Sequence, residues 1–275
     1  MQQREPDRYA LVGHPVEHSR SPLIHQLFAR QTGERITYEL IDAAPAQLET
    51  AILGFKAAGG RGMNVTVPHK ESAYALATRL GDAARAAKAV NTLTFADGKV
   101  RGDNTDGAGF IRDVTENEGR SFADARVLIL GAGGAARGIL GPVLAAGPGA
   151  LTLANRTPAR AAALKREFAA QGDIAVCAFE DLGGLGAFDI VVNATSAGLR
   201  GEQPPFPASL LTRATFCYDL AYSLKPTPFV AWAHEHGAER AVQGWGMLVE
   251  QAAESFAIWR GIRPDTAPIR RQLAR

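Results

Sequence analysis

Two serines separated by one residue, Ser19 and Ser21, lie in the run Ser19-Arg20-Ser21-Pro22 just ahead of an apolar-periodic segment. Pro22 biases Ser21 toward an extended backbone, which turns both hydroxyls to the same side; beside a helix N-terminus such a pair makes a cradle for a small carboxylate. Ser21 fits a plain helix cap equally well. In Asn64-Val65-Thr66-Val67-Pro68-His69-Lys70, strand alternation predicts Asn64 and Thr66 on one face and the two valines on the other. Lining a cleft, Asn64 and Thr66 are hydrogen-bonding groups for hydroxyls, with Lys70 just past the carboxyl end of the strand, where α/β proteins gather their sites. On an exposed edge strand they are ordinary surface. Asn91, Asp106 and Gln251 add amide and carboxylate groups at a strand start, a turn and a helix.

A second chemistry is written in Arg126-Val127-Leu128-Ile129-Leu130-Gly131-Ala132-Gly133-Gly134-Ala135-Ala136. An apolar strand runs into a GxGxxA turn and then a helix, the order in which a dinucleotide pyrophosphate meets backbone N–H groups at a helix N-terminus. Roughly twenty residues on, where an acidic side chain would bind an adenosine ribose, stands Asn155-Arg156-Thr157. Arg156, with Arg160 one helical turn later, offers guanidinium groups to a 2′-phosphate, and Thr157 can cap the next helix and donate a hydrogen bond. This favours NADP over NAD. Without the glycine turn, the same residues read as a helix cap and two solvated arginines.

These groups need elements to carry them. Tyr9 to Val12, Ile36 to Ile41 and Met63 to Val67 read as strands, and Leu23 to Gln31 and Gln47 to Ala58 as helices. Asp103 to Gly107 breaks the pattern with turn formers, and Gly109 to Asn117 resumes as a connecting helix. Beyond Leu130, a helix reaching about Ala146, a strand at Ala150 to Ala154, a helix at Thr157 to Phe168 and strands at Ile190 to Asn193 and Phe216 to Asp219 imply a doubly wound sheet. Met247 to Trp259 is a helix with Leu248, Ala252 and Phe256 on one stripe, expected to return to the first domain. The predicted architecture is two α/β domains, residues 1–106 joined by 245–275, and a Rossmann-like unit at 107–244.

The chain has 275 residues, 46% hydrophobic and 21% charged, which suits a folded enzyme-sized protein. Its net charge of +2 comes without a basic run, so nucleic acid is not suggested. The N-terminus has charges where a signal peptide needs an apolar core, and no stretch is long and apolar enough to span a bilayer, so a cytoplasmic protein is expected. Cys177 and Cys217 lack metal-ligand spacing and read as reduced core thiols; no metal site is expected.

Taken together, several motifs occur in an order and spacing that make nearly the whole chain resemble the shikimate dehydrogenases. They are Gly13-His14-Pro15-Val16-Glu17-His18-Ser19-Arg20-Ser21-Pro22, Asn64 to Lys70, Ala89-Val90-Asn91-Thr92 and Gly102-Asp103-Asn104-Thr105-Asp106-Gly107, then Gly131 to Ala136 and Asn155-Arg156-Thr157. Asn193-Ala194-Thr195-Ser196, Tyr218-Asp219-Leu220-Ala221-Tyr222 and Gly246 to Ala252 complete the set. The resemblance implies reversible NADPH-dependent reduction of 3-dehydroshikimate to shikimate, in the route to aromatic amino acids. It implies a substrate carboxylate held by Ser19, Ser21 and Tyr222, and ring oxygens met by Asn64, Thr66, Asn91, Asp106 and Gln251. Lys70 and Asp106 become the catalytic pair. Lys70 either passes the proton or chiefly polarises the ketone oxygen as charge develops there. Cofactor contacts are implied for Gly131, Gly133, Gly134, Ala135, Ala136, Asn155, Arg156, Thr157, Arg160, Thr195, Ser196, Gly246 and Met247. The implied partner is a small molecule, and the implied assembly a monomer or homodimer. Quinate/shikimate dehydrogenases that prefer NAD usually carry an acidic residue where Asn155-Arg156-Thr157 stands.

Overall fold

The computed structural model describes residues 5–195 and 206–273. In chain order the first part of the chain forms β1 (Asp7–Gly13), α1 (Ser21–Thr32), β2 (Ile36–Asp42), α2 (Leu48–Ala57), β3 (Gly60–Val65) and α3 (Lys70–Leu76). It continues through β4 (Arg79–Leu80), α4 (Asp82–Ala87), β5 (Thr92–Ala96), β6 (Lys99–Asp103) and α5 (Asp106–Arg112). There follow β7 (Arg126–Leu130), α6 (Gly134–Ala145), β8 (Ala150–Ala154), α7 (Pro158–Phe168), β9 (Ala175–Cys177), β10 (Ile190–Asn193) and β11 (Phe216–Asp219). The chain closes with α8 (Pro228–Glu235), β12 (Arg240–Gln243), α9 (Trp245–Arg260) and α10 (Ala267–Leu273). It divides into two compact units, one running to Gly109 and resuming at Leu248, the other Phe110–Met247.

The first unit has a mixed sheet ordered β2-β1-β3-β5-β6-β4. β1 is parallel to both β2 and β3, while β3, β5 and β6 run antiparallel in turn. Ala10, Leu11 and Val12 form an unbroken apolar run because β1 is covered on both faces, and all three are buried. The β5–β6 hairpin, not anticipated above, turns through Asp97 and Gly98, both at positive φ, which is the backbone that a tight hairpin requires. α9 from Leu248 onward packs Val249, Ala252, Ala253 and Phe256 on Ile24, Phe28 and Ala29 of α1. Two polar ties anchor α9 further, one to β5 and one to the segment that follows α9. Trp259 donates its indole N–H to the Leu93 carbonyl at 3.0 Å, and the buried Glu250 carboxylate accepts from Arg263 and from the Thr266 hydroxyl.

Two local expectations are corrected. β3 ends at Val65, so alternation does not extend to Thr66 and Val67: Val65 is 2% exposed and Val67 67%. At this end β3 is covered on both faces, since Asn64 and Val65, which point to opposite sides, are both buried. α1 begins at Ser21 rather than Leu23, with Pro22 in its first turn, and Ser21 is a helical residue rather than a cap.

Within this unit His25 is fully buried, with neither ring nitrogen at full hydrogen-bonding geometry, and it stacks on Tyr38 at 4.3 Å between ring centroids. Burial pulls its pKa down to about 3, against a weaker opposing effect of the Asn64 side chain. The unfolded chain takes up a proton near the ordinary histidine value of about 6.5 while the folded chain does not. Stability is therefore complete above that value and is lost as pH falls toward about 3. His25→Phe keeps an aromatic ring and is expected to flatten this part of the profile; denaturant midpoints across the range check it, and an unchanged slope would exclude His25 as its source.

The second unit is an all-parallel sheet ordered β12-β11-β10-β7-β8-β9. Strand alternation splits its core in two. Val127, Ile129, Ile190, Val192, Phe216 and Tyr218 face one layer with Ile139 and Phe168, while Leu128, Leu130, Val191 and Cys217 face another with Phe229 and Trp232. The chain order reverses between β7 and β10, which makes the carboxyl ends of these strands the switch point where doubly wound sheets bind ligands.

Candidate active site

In the first unit, four separated stretches deliver their polar side chains to one place. Asn104 accepts from the Asp106 backbone N–H at 3.0 Å and donates to the Ala89 carbonyl at 3.0 Å, so Asp106 opens α5 with its carboxylate at the helix N-terminus. Lys70 opens α3 directly after His69, whose buried ring donates to the Ala43 carbonyl at 2.7 Å. The Lys70 carbonyl accepts from Val90 N–H, which brings the segment holding Asn91 alongside. The result is an ion pair of 2.6 Å between Lys70 Nζ and Asp106 Oδ2. Asn91 Nδ2 lies 2.9 Å from Asp106 Oδ1, 2.9 Å from Thr105 Oγ1 and 3.3 Å from Gln251 Oε1. Among the described residues Lys70 Nζ has this one carboxylate partner and keeps donors to spare, which suits an ammonium meant for another oxygen.

Asn64 joins the same network through Asn91, donating to its carbonyl at 3.1 Å, and accepts from the Tyr38 hydroxyl at 2.7 Å. Thr66 lies just beyond β3 and half-buried; its methyl crowds Gly13, where no Cβ would fit. Ser19 Oγ is 3.2 Å from Ser21 Oγ and accepts from the Ser21 backbone N–H. The two hydroxyls thus lie side by side; Ser19 receives the first N–H of α1, while the N-cap itself, Arg20, makes no side-chain bond. Thr92, Thr105 and Ser255 belong to this network and were not singled out from the sequence. Thr105 lies inside a motif already marked, and Ser255 stands one helical turn after Gln251, a spacing that would have found it.

In the second unit the glycine turn separates two demands. Gly131 has φ +104° and sits so close that a Cβ would lie 2.9 Å from the Ala194 carbonyl oxygen, so the fold itself requires it. Gly133 and Gly134 have neither a positive φ nor a neighbour within 4 Å of a built Cβ, and both are exposed with Ala135. No neighbour in the fold requires their smallness. Ala136 is fully buried against the sheet. Asn155 accepts from the Ala132 N–H at 3.1 Å and donates to the Thr157 carbonyl at 2.9 Å, tying the glycine turn to the start of α7. Arg156 and Arg160 are exposed and form no ion pair among the described residues. Thr157 makes no side-chain capping bond to α7, so that part of its expected role does not hold; Pro158 already supplies the helical φ of the first turn. Thr195 bonds to the Asn193 side chain. Ser196 lies outside the described residues. Gly246 packs on the Asp113 carboxylate, and the Met247 N–H lies 3.4 Å from the Tyr218 hydroxyl. Tyr222 belongs to this unit and contacts Trp245 with ring centroids 4.6 Å apart. No metal-ligand cluster and no membrane-length apolar helix occur among the described residues.

A doubly wound unit with an open glycine turn, joined to a unit carrying a lysine–carboxylate pair, defines a dinucleotide-dependent α/β oxidoreductase. Three family models match: the shikimate dehydrogenase substrate binding domain at residues 11–93, shikimate/quinate 5-dehydrogenase at 113–200, and the shikimate 5′-dehydrogenase C-terminal domain at 244–274. The shikimate dehydrogenase (NADP(+)) of Alkalilimnicola ehrlichii is 53% identical over 96% of this chain and 97% of its own. An Ael1 enzyme from Pseudomonas putida superposes with a TM-score of 0.93 at 47% identity, covering 98% of both chains. The Thermus thermophilus shikimate 5-dehydrogenase, solved with NADP(H) and shikimate, gives 0.86 at 33% identity over 98% of this chain and 100% of its own. The chain belongs to the shikimate dehydrogenase family.

Proposed function

We propose that this protein is an NADP-dependent shikimate dehydrogenase, interconverting 3-dehydroshikimate and shikimate in the route to aromatic amino acids, in the cytoplasm. The observation that carries the catalytic part is the 2.6 Å Lys70–Asp106 pair, braced by Asn91. In this reading the first unit holds the substrate and the second the cofactor. Ser19 and Ser21 take the carboxylate; Asn64, Thr66, Asn91 and Gln251 take ring oxygens. The open Gly133–Ala135 turn and the exposed Arg156 and Arg160 fit a pyrophosphate and a 2′-phosphate, with Asn155 and Thr157 beside them; Thr195, Gly246 and Met247, and Ser196 by the family motif alone, are assigned to the rest of the cofactor. Bound NADPH supplies the hydride. Lys70 faces the ketone oxygen, stabilises the charge that grows there and gives it a proton; in the oxidative direction it receives that proton. Asp106 holds the ammonium in place and shares Asn91 with Gln251. Formation of NADPH when the purified protein meets shikimate and NADP tests the reading; quinate turnover with NAD in its place would point to the NAD-preferring relatives.

Arg156→Asp is expected to shift preference from NADP toward NAD. The new carboxylate repels the 2′-phosphate and can accept from a ribose hydroxyl. The loss appears first in NADP binding, by roughly 10- to 100-fold for one charge-assisted contact of 1.5–3 kcal/mol. The ratio of kcat/KM for the two cofactors measures it, and a variant that keeps the original ratio removes Arg156 from the cofactor site.

A further inference from the structure

We propose that Ser255 is a positioning residue that fixes the polarity of the Asn64 amide, so that the substrate meets its oxygen and not its nitrogen. The proposal rests on the substrate assignment above and deepens it. Ser255 is fully buried on α9, and its hydroxyl touches partners from three other stretches of the first unit: Asn64 Nδ2 at 3.0 Å, Thr92 Oγ1 at 2.8 Å and Thr105 Oγ1 at 3.2 Å. A serine hydroxyl has one proton. That proton is directed to the Gln251 carbonyl one turn back, at 3.0 Å, so toward Asn64 the oxygen can only accept.

The direction of the amide follows. The Asn91 carbonyl, 3.1 Å from Asn64 Nδ2, is also acceptor-only, and Thr92 Oγ1 lies 3.2 Å from the same nitrogen. Turning the amide over would set Asn64 Oδ1 against the Asn91 carbonyl and against Ser255, two oxygens with no proton for it. Asn64 therefore spends its N–H groups inside the network. Its oxygen accepts from Tyr38 at 2.7 Å, lies beside the buried His25 ring, and is the end of the amide offered to a ligand. Such a subsite receives a hydroxyl that donates, and it disfavours a substrate in which that hydroxyl is missing or capped. Ser255 also ties Asn64 to α9 one turn from Gln251, so two substrate contacts share one anchor.

Ser255→Ala removes the acceptor while leaving the Lys70–Asp106–Asn91 set intact. The expected result is a KM for shikimate raised roughly five- to thirty-fold, the range for a buried amide that loses one of its acceptors and is held less firmly. The kcat should stay within about threefold and NADP affinity should not change. In an Asn64→Ala background the same substitution should add less than about twofold, because the group it orients is gone. Shikimate kinetics of the four proteins, with NADP titration as the control for folding, make the test. A KM within twofold of the parent overturns the proposal, as does a loss confined to kcat or an undiminished effect in the Asn64→Ala background. If the alanine variant fails to bind NADP, Ser255→Cys, which keeps the volume and accepts only weakly, takes its place: a raised KM supports the proposal and an unchanged one overturns it. A parent protein that does not turn over shikimate refutes the substrate assignment instead.

Discussion

Lys70→Ala is expected to give a folded protein that binds both ligands and loses roughly 10²–10⁴-fold in kcat, the range for removing a positioned proton donor or acceptor. The lysine opens α3 at the surface of its unit, and the bonds that hold its backbone, from Val90 N–H to the Lys70 carbonyl and through His69 to Ala43, do not involve its side chain. Asp106 keeps Asn91 as a donor when the ammonium is gone. Substrate binding survives because the carboxylate and ring hydroxyls are assigned to other groups, so the ammonium matters most where charge develops on the oxygen. KM should accordingly move less than kcat. Lys70→Met retains much of the apolar stem and should be similarly slow, which separates the lost charge from a packing defect. Steady-state kinetics of both variants decide the point. Turnover within a few-fold of the parent, or a loss lying wholly in KM, would make Lys70 a binding residue and require another proton source.

Ser19→Ala combined with Ser21→Ala is expected to weaken shikimate binding by roughly 10²–10⁴-fold, from two charge-assisted hydrogen bonds of about 1.5–3 kcal/mol each. NADP affinity should remain near that of the parent, since the glycine turn and its arginines lie in the other unit. Thermal stability should fall only modestly, because the one α1 backbone donor served by these hydroxyls is the Ser21 N–H, which bonds to Ser19, and the helix already has Pro22 in its first turn. Calorimetric titration of each ligand into the double variant, alongside a melting curve, reads all three quantities. Full shikimate affinity would remove the serines from the carboxylate site, and a large fall in melting temperature would return them to a structural role.

Much of this was legible before any coordinates. Arg126–Leu130, Ala150–Ala154, Ile190–Asn193 and Phe216–Asp219 form strands where short, mainly apolar runs predicted them, because central parallel strands are covered on both faces and so are built mostly of apolar residues. The edge strands β9 and β12 were not anticipated. β12 carries Arg240 and Gln243, so no apolar run marks it; β9 does lie in the apolar run of residues 174–179, but only three of those residues pair as a strand. The same reasoning explains the misplaced end of β3: alternation describes a strand with one wet face, and β3 has none.

Residue types and spacing alone determined the chemistry on offer: a glycine turn after an apolar strand, arginines in place of an acid, paired serines, a lysine past a strand end. Their motifs also sufficed for the family resemblance. The convergence of Lys70, Asn91, Asp106 and Gln251 was decided only in the folded unit, where Asn91 N–H bonds to the Asp103 carbonyl and α9 returns from far along the chain. The orientation of Asn64 depended on it too. An amide takes its direction from the donors and acceptors that surround it in space, and Tyr38, Asn91 and Ser255 are neighbours of Asn64 only after β2, β1, β3, β5 and α9 have packed.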